Sequence, residues 1–105
     1  MGGRIHQATL GNMRELLKSE KPLAVDFWAT WCHVMTPILR DMAKRFEDRI
    51  VFAKVDIQNS RDLAQQFGVK SIPTLILFKN GKEWDRLTGV RSRSELNKLL
   101  DKLSS

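Results

Sequence analysis

Cysteine is nearly absent from this chain: among 105 residues there is one, Cys32. A single cysteine excludes an intramolecular disulfide and every cysteine-rich zinc site, and it fits a reducing compartment. Long hydrophobic runs are also missing. No stretch approaches the roughly 18 apolar residues of a spanning helix, and Met1 to Leu10 lacks the apolar centre of a signal peptide, so a cytoplasmic protein is expected. Internal repeats, low-complexity tracts and linkers are absent, which leaves one domain over residues 1–105. At 42% hydrophobic residues, a chain of this length buries a core without a disulfide or a metal, because domains become marginal only towards about 60 residues. Basic residues exceed acidic ones, 18 Lys and Arg against 12 Asp and Glu, for a net charge of +6. They are scattered through Arg14, Lys18, Lys44, Arg45, Lys70, Lys82 and Lys98, usually near acids. A nucleic-acid footprint would cluster on one face with interleaved aromatics. The charge is therefore read as solvated surface, with neither nucleic acid nor membrane as a partner.

The pattern of what is present indicates an α/β domain. Leu23 to Ala29 and Ile50 to Val55 are near-continuous apolar runs, as in strands buried on both faces of a largely parallel sheet, so helices must cover both faces. Leu39, Met42 and Phe46 recur at helical spacing, and Leu96, Leu99, Leu100 and Leu103 draw a stripe along a C-terminal helix opened by a Ser92/Glu95 capping box. Asn59 or Ser60 can cap a short helix carrying Leu63, Ala64 and Phe67 and ended by Gly68. Leu10, Met13 and Leu17 suggest another near the start. Thr74 to Phe78 and Glu83 to Thr88 flank Asn80-Gly81, a dipeptide that readily takes the positive φ of a type I′ hairpin turn. The order β-α-β-α-β-α-β-β-α implies a mixed central sheet flanked by four helices.

Several motifs along this order are more specific than the fold: Val25-Asp26-Phe27-Trp28-Ala29-Thr30-Trp31-Cys32, Pro37-Ile38-Leu39, Ala53-Lys54-Val55-Asp56, Ser71-Ile72-Pro73-Thr74, Phe78 to Lys82, and Thr88-Gly89. Over essentially the whole chain they resemble the thioredoxin family. The resemblance implies a thioredoxin-like fold and thiol-disulfide exchange through a Trp-Cys-Gly-Pro-Cys motif at the start of a helix. Protein disulfides would be the substrates and a thioredoxin reductase the electron donor, with no bound cofactor. A helix N-terminus lowers the pKa of the first cysteine, which attacks a substrate disulfide before the second cysteine resolves the mixed disulfide. The resemblance also makes Asp26 the buried proton acceptor beneath the cysteines, with Lys54 on the neighbouring strand as its partner. Pro73 becomes a cis proline facing the cysteine, and Trp31, Ile72, Gly89 and Val90 complete a groove for an extended peptide. Trp28 is read as packing around the site.

Here the motif is broken. The family pattern has Trp-Cys-Gly-Pro-Cys, four residues, then Pro, whereas this chain has Trp31-Cys32-His33-Val34-Met35-Thr36-Pro37, three residues shorter. Removing Gly-Pro-Cys, or equally Cys-Gly-Pro, from such a pattern yields this string, so Cys32 can represent either family cysteine. The abrupt break suggests an engineered deletion. His33 to Thr36 are then expected as ordinary residues of the active-site helix. With one sulfur, Cys32 forms a mixed disulfide but cannot resolve it, so catalytic reduction is expected to be lost or severely reduced. Cys32 competes between a reactive monothiol that traps clients and an inert remnant.

Two further readings concern assembly and metal. Three residues amount to about 4.5 Å of helix and about 300° of rotation, so the connection from strand to helix is strained. Seven residues, Thr30 to Thr36, can still bridge the gap at roughly 3.3 Å each. A shortened hinge nonetheless favours a swapped homodimer, in which Met1 to Ala29 packs on Thr36 to Ser105 of a second copy. Cys32, His33 and Met35 carry donor atoms suited to Cu(I), but Met35 belongs with Leu39 and Met42 in the core, so no metal ligand is assigned within one chain. Two chains meeting at Cys32 remain an alternative as a metal-bridged or disulfide-linked dimer. His6 is read as structural.

Overall fold

The computed structural model describes residues 3–105. Five strands, β1 (Ile5–Gln7), β2 (Leu23–Trp28), β3 (Val51–Asp56), β4 (Thr74–Lys79) and β5 (Lys82–Thr88), alternate with helices α1 (Met13–Leu17), α2 (Thr36–Arg45), α3 (Arg61–Gln66) and α4 (Arg93–Leu103). The sheet order is β1-β3-β2-β4-β5. β1 and β2 run parallel to β3, while β4 is antiparallel to both β2 and β5. This is the mixed α/β sheet expected from the element order, with four helices.

Strand alternation divides the core. Ala24, Phe52, Leu75 and Leu77 point to one face, under Leu39, Met42 and Phe46 of the α2 region and Leu96, Leu100 and Leu103 of α4. Val25, Phe27, Ala53, Val55 and Ile76 point to the other, against Met13 and Leu63. Because side chains alternate with a period of two, Asp26, between Ala24 and Trp28, must lie on the α2 face. Its register partner across β3 is Lys54.

Local chemistry explains most boundaries. Asn80 and Gly81 take positive φ, 56° and 78°, as a type I′ turn requires. Gly68 at φ 67° ends α3 in a Schellman arrangement, with Gly68 N–H donating to Gln65 and Val69 N–H to Ala64. Ser92 accepts from the Glu95 N–H and Glu95 returns the bond to the Ser92 N–H, so the expected capping box is formed. Other expectations need correction. Ser60 occupies the cap position of α3 without a side-chain capping bond; the nearby Asp56 carboxylate instead accepts from the Gln58 N–H and the Asn59 amide. Leu10 lies outside α1 and is exposed, because Asn12 turns the chain by bonding back to Thr9 and Gln7.

Candidate functional site around Cys32 and Asp26

β2 leaves the sheet at Trp28 and the chain must reach α2 within a few residues. It does so by folding on itself: Cys32 N–H donates to the Ala29 carbonyl at 2.9 Å and Ala29 N–H to the Cys32 carbonyl at 3.5 Å, with Thr30 and Trp31 at the turn. Gln58 buttresses this turn, accepting from the Thr30 hydroxyl at 3.0 Å. Helix α2 then begins at Thr36, with Met35 as N-cap. His33, Val34 and Met35 therefore precede the helix, which corrects the expectation that they belong to it. Pro37 supplies the reason: it has no N–H and is tolerated in the first helical turn, where it stands here. Cys32 is accordingly not at the helix N-terminus but four residues before it.

Cys32 is half-buried and carries a free thiol. Beside it in the chain, Trp31 and Val34 are exposed to 67% and 55%, and Val90, in the loop after β5, is exposed to 58%. The Ile72–Pro73 bond is cis, and the Pro73 carbonyl accepts from the Gly89 N–H at 2.9 Å. The bond ties the loop of Ile72 and Pro73 to that of Gly89 and Val90. No distance links that pair to Cys32 directly.

Asp26 is buried, with 4% of its surface accessible. Burial pushes its carboxyl up to about 7, and the Lys54 charge partly opposes that rise. No hydrogen bond from a described residue reaches the carboxyl. It lines a cavity of about 250 Å³ between the sheet and α2, together with Trp28, Lys54, His33, Arg40 and Ile5. The Lys54 ammonium stands 5.4 Å from the centre of the Trp28 ring, a cation–π contact. The Trp28 indole N–H is buried with no partner among the described residues. Cys32 does not line this cavity, whereas its neighbour His33 does. Three contributors escaped sequence reasoning: Arg40, Thr36 and Gln58. Arg40 and Thr36 reach the cavity only through the docking of α2, and the pairing of Gln58 with Thr30 has no local signature.

Among the described residues, no group of three or more His, Cys, Asp or Glu side chains could hold a metal ion, and no helix is long and apolar enough to cross a membrane.

A mixed sheet with this strand order, a cis proline before β4 and a free cysteine where β2 turns into the following helix define a thioredoxin-fold domain. Comparison with known proteins gives the family. The thioredoxin family model matches residues 5–102, and the chain belongs to the thioredoxin family. It is 37% identical over 91 residues to a thioredoxin of Alicyclobacillus acidocaldarius, covering 84% of this chain and 87% of that one. It is 34% identical over 105 residues to thioredoxin 2 of Chlorobaculum tepidum, covering 96% of each. The crystal structure of a Malassezia sympodialis thioredoxin, described as a member of a pan-allergen family, superposes with a TM-score of 0.88 at 27% identity, over 98% of this chain and 93% of that one. The family role is thiol-disulfide oxidoreduction.

Proposed function

We propose that this chain is a thioredoxin scaffold whose dithiol exchange is disabled by the loss of three residues at Cys32. The carrying observation is Cys32 itself: a free thiol with no second cysteine in the sequence, in a turn outside the helix terminus that would favour a thiolate. One alignment supports a shortening of this size. The alignment to the Alicyclobacillus relative runs over 91 positions and takes in 84% of this 105-residue chain, about three residues fewer. The sharpness of the break supports an engineered origin, and the chemistry is the same whatever that origin. Protein disulfides and a thioredoxin reductase are the partners of the intact pattern. Asp26 and Lys54 are its buried proton-transfer pair, and Trp31, Ile72, Pro73, Gly89 and Val90 are its peptide groove. The test is an insulin-type disulfide reduction assay with reductase. This chain shows no turnover above background, and inserting Gly-Pro-Cys between Cys32 and His33 brings turnover back. Turnover by the unmodified chain overturns the proposal.

A second reading rests on the exposed Trp31 and Val34 beside Cys32 in the chain. The Cys32 thiolate attacks a client disulfide, one client sulfur leaves as a thiol, and the mixed disulfide persists because no internal thiol displaces it. Reducible adducts recovered with this chain, and absent from Cys32→Ser, support trapping; equal recovery with both refutes it. The shortened hinge also supports a swapped homodimer, although a single chain closes here through the Ala29–Cys32 turn. Light scattering that stays monomeric across a wide concentration range removes the swapped form. It also removes a disulfide-linked or metal-bridged dimer.

A further inference from the structure

The cavity under α2 has the features of a ligand site independent of Cys32. Its floor holds a carboxyl that is 96% inaccessible by the exposure of Asp26, yet no described residue donates to it. The Asp26 carboxyl opens onto the cavity, and the Trp28 indole N–H in the same wall is buried without a partner among the described residues, where buried polar groups are almost always partnered. The lining also holds Lys54 and Arg40, neither of which has an ion-pair partner among the described residues. Ile5, Leu39 and Trp28 supply apolar wall.

Charge selects the guest. Around Asp26, β3 contributes Lys54, α2 contributes Arg40 and the connection contributes His33, while β1 and β4 contribute apolar Ile5 and Leu75. One carboxyl against two permanent cations leaves the site positive even when Asp26 is ionised, and more so when it is protonated. A cationic guest is repelled. The first turn of α2 adds the positive end of a ten-residue helix at Thr36, which lines the same cavity. Size limits the guest: 250 Å³ is the volume of about eight waters, enough for a carboxylate of about three to five carbons.

We propose that this cavity binds a short aliphatic carboxylate, whose anionic end is held among Lys54, Arg40 and a protonated Asp26 and whose tail packs on Ile5, Leu39 and Trp28. The protonated acid donates its O–H to the guest carboxylate, an arrangement that two ionised carboxylates cannot make. Because burial keeps Asp26 protonated up to about neutral pH, affinity is greatest on the acid side and falls as Asp26 loses its proton.

The test is a titration with sodium butyrate, butyramide and butylamine hydrochloride at constant ionic strength, read by NMR at the Trp28 indole N–H and the Ile5 and Leu39 methyls. Butyrate gives saturable shifts, and its affinity falls about tenfold or more between pH 6 and pH 8.5, as a guest selecting the protonated state requires. Butyramide and butylamine do not saturate. With His33 replaced by Gln, so that no imidazole titrates in the cavity, Asp26→Asn, which keeps a donor without a charge, binds butyrate equally at both pH values. Lys54→Gln weakens binding about tenfold, the size of one lost charge-assisted hydrogen bond. Absence of saturable shifts at pH 6, binding of butylamine as tight as that of butyrate, or an unchanged pH dependence in the Asp26→Asn, His33→Gln double variant overturns the proposal.

Discussion

Helices α4 and α2 lie side by side on one face of the sheet and begin in opposite ways. α4 starts with a complete capping box from Ser92 and Glu95, so its first N–H groups are satisfied by residues within one turn. α2 starts at a methionine that offers no side-chain cap. Met35 is buried in the core instead, and the chain before it is tied to β2 by the Ala29–Cys32 turn. The contrast separates a helix start that its own sequence specifies from one imposed by a short connection and by packing. Places where local rules give way are where function is expected, and in this family that place is the α2 end.

What lies beneath the two helices differs as well. Under α4 the sheet offers Leu75, Leu77 and Leu87; under the start of α2 it offers Asp26. Removing that carboxyl produces the largest effect on stability, and its sign follows from the two states of the group. Unfolded, Asp26 titrates near 3.8; folded, it is pushed up to about 7. Below the first value both states are protonated and burial carries no ionic penalty. Between them the folded state holds the extra proton, so stability falls as pH rises, and above about 7 the loss is complete. The interval corresponds to at most about 4 kcal/mol at 1.36 kcal/mol per unit. Asp26→Asn carries no such penalty. Its stability relative to the parent rises by up to that amount between pH 4 and pH 8, measured by urea denaturation at each pH. A difference that stays flat with pH shows that Asp26 is solvated in the folded chain.

The fold was readable where short-range chemistry decides it. Asn80-Gly81, Gly68 and Ser92/Glu95 each specify a turn, a stop and a start through their own backbone preferences, and all three stand where the sequence places them. The apolar runs of β2 and β3 carry the parallel core. The start of α2 was not readable, because helical periodicity in Leu39, Met42 and Phe46 says nothing of where the first turn begins. Pro37 and the length of the connection decide that. From the candidate site, the thioredoxin resemblance gave in advance the pairing of Asp26 with Lys54 and the cis Pro73. Its cavity was not legible, since Arg40 and Thr36 reach it only after α2 is docked. The α3 cap shows the same limit on a smaller scale: Ser60 has the right chemistry, but Asp56 organises the turn.

The uncapped start of α2 can be challenged directly by Met35→Ser, which places a capping residue at the N-cap. Methionine truncation in a core costs about 2–5 kcal/mol, and a serine cap returns at most about 1 kcal/mol where the backbone at residue 35 is helical, φ −82° and ψ −11°. The net expectation is a loss of about 2 kcal/mol, seen as a lower urea midpoint with unchanged slope. A gain in stability shows that the missing cap, and not packing, limits α2, and the contrast between the two helix starts then reduces to one side chain.

Ser92→Ala is the reciprocal change and the smallest. It removes the acceptor of the Glu95 N–H and leaves Glu95 with only the backbone N–H of residue 92 to bond. Ser92 is exposed, so no cavity forms and the effect is the cap alone. Losing an N-cap serine costs about 1 kcal/mol, a fall of about 4–8 °C in melting temperature for a domain near this size. The cross-links from α4, Arg93 to Asp41 of α2 at 2.8 Å and Asp101 to Arg49 in the turn after α2 at 3.0 Å, are exposed pairs worth well under about 1 kcal/mol each and cannot compensate. Hydrogen exchange then speeds first in the opening turn of α4, while protection at Leu39 and Met42 in α2 is reduced only in step with the global loss. If exchange at α2 rises more than at α4, the two starts are coupled through Asp41 and Arg93, and the self-sufficiency of the α4 cap is lost with it.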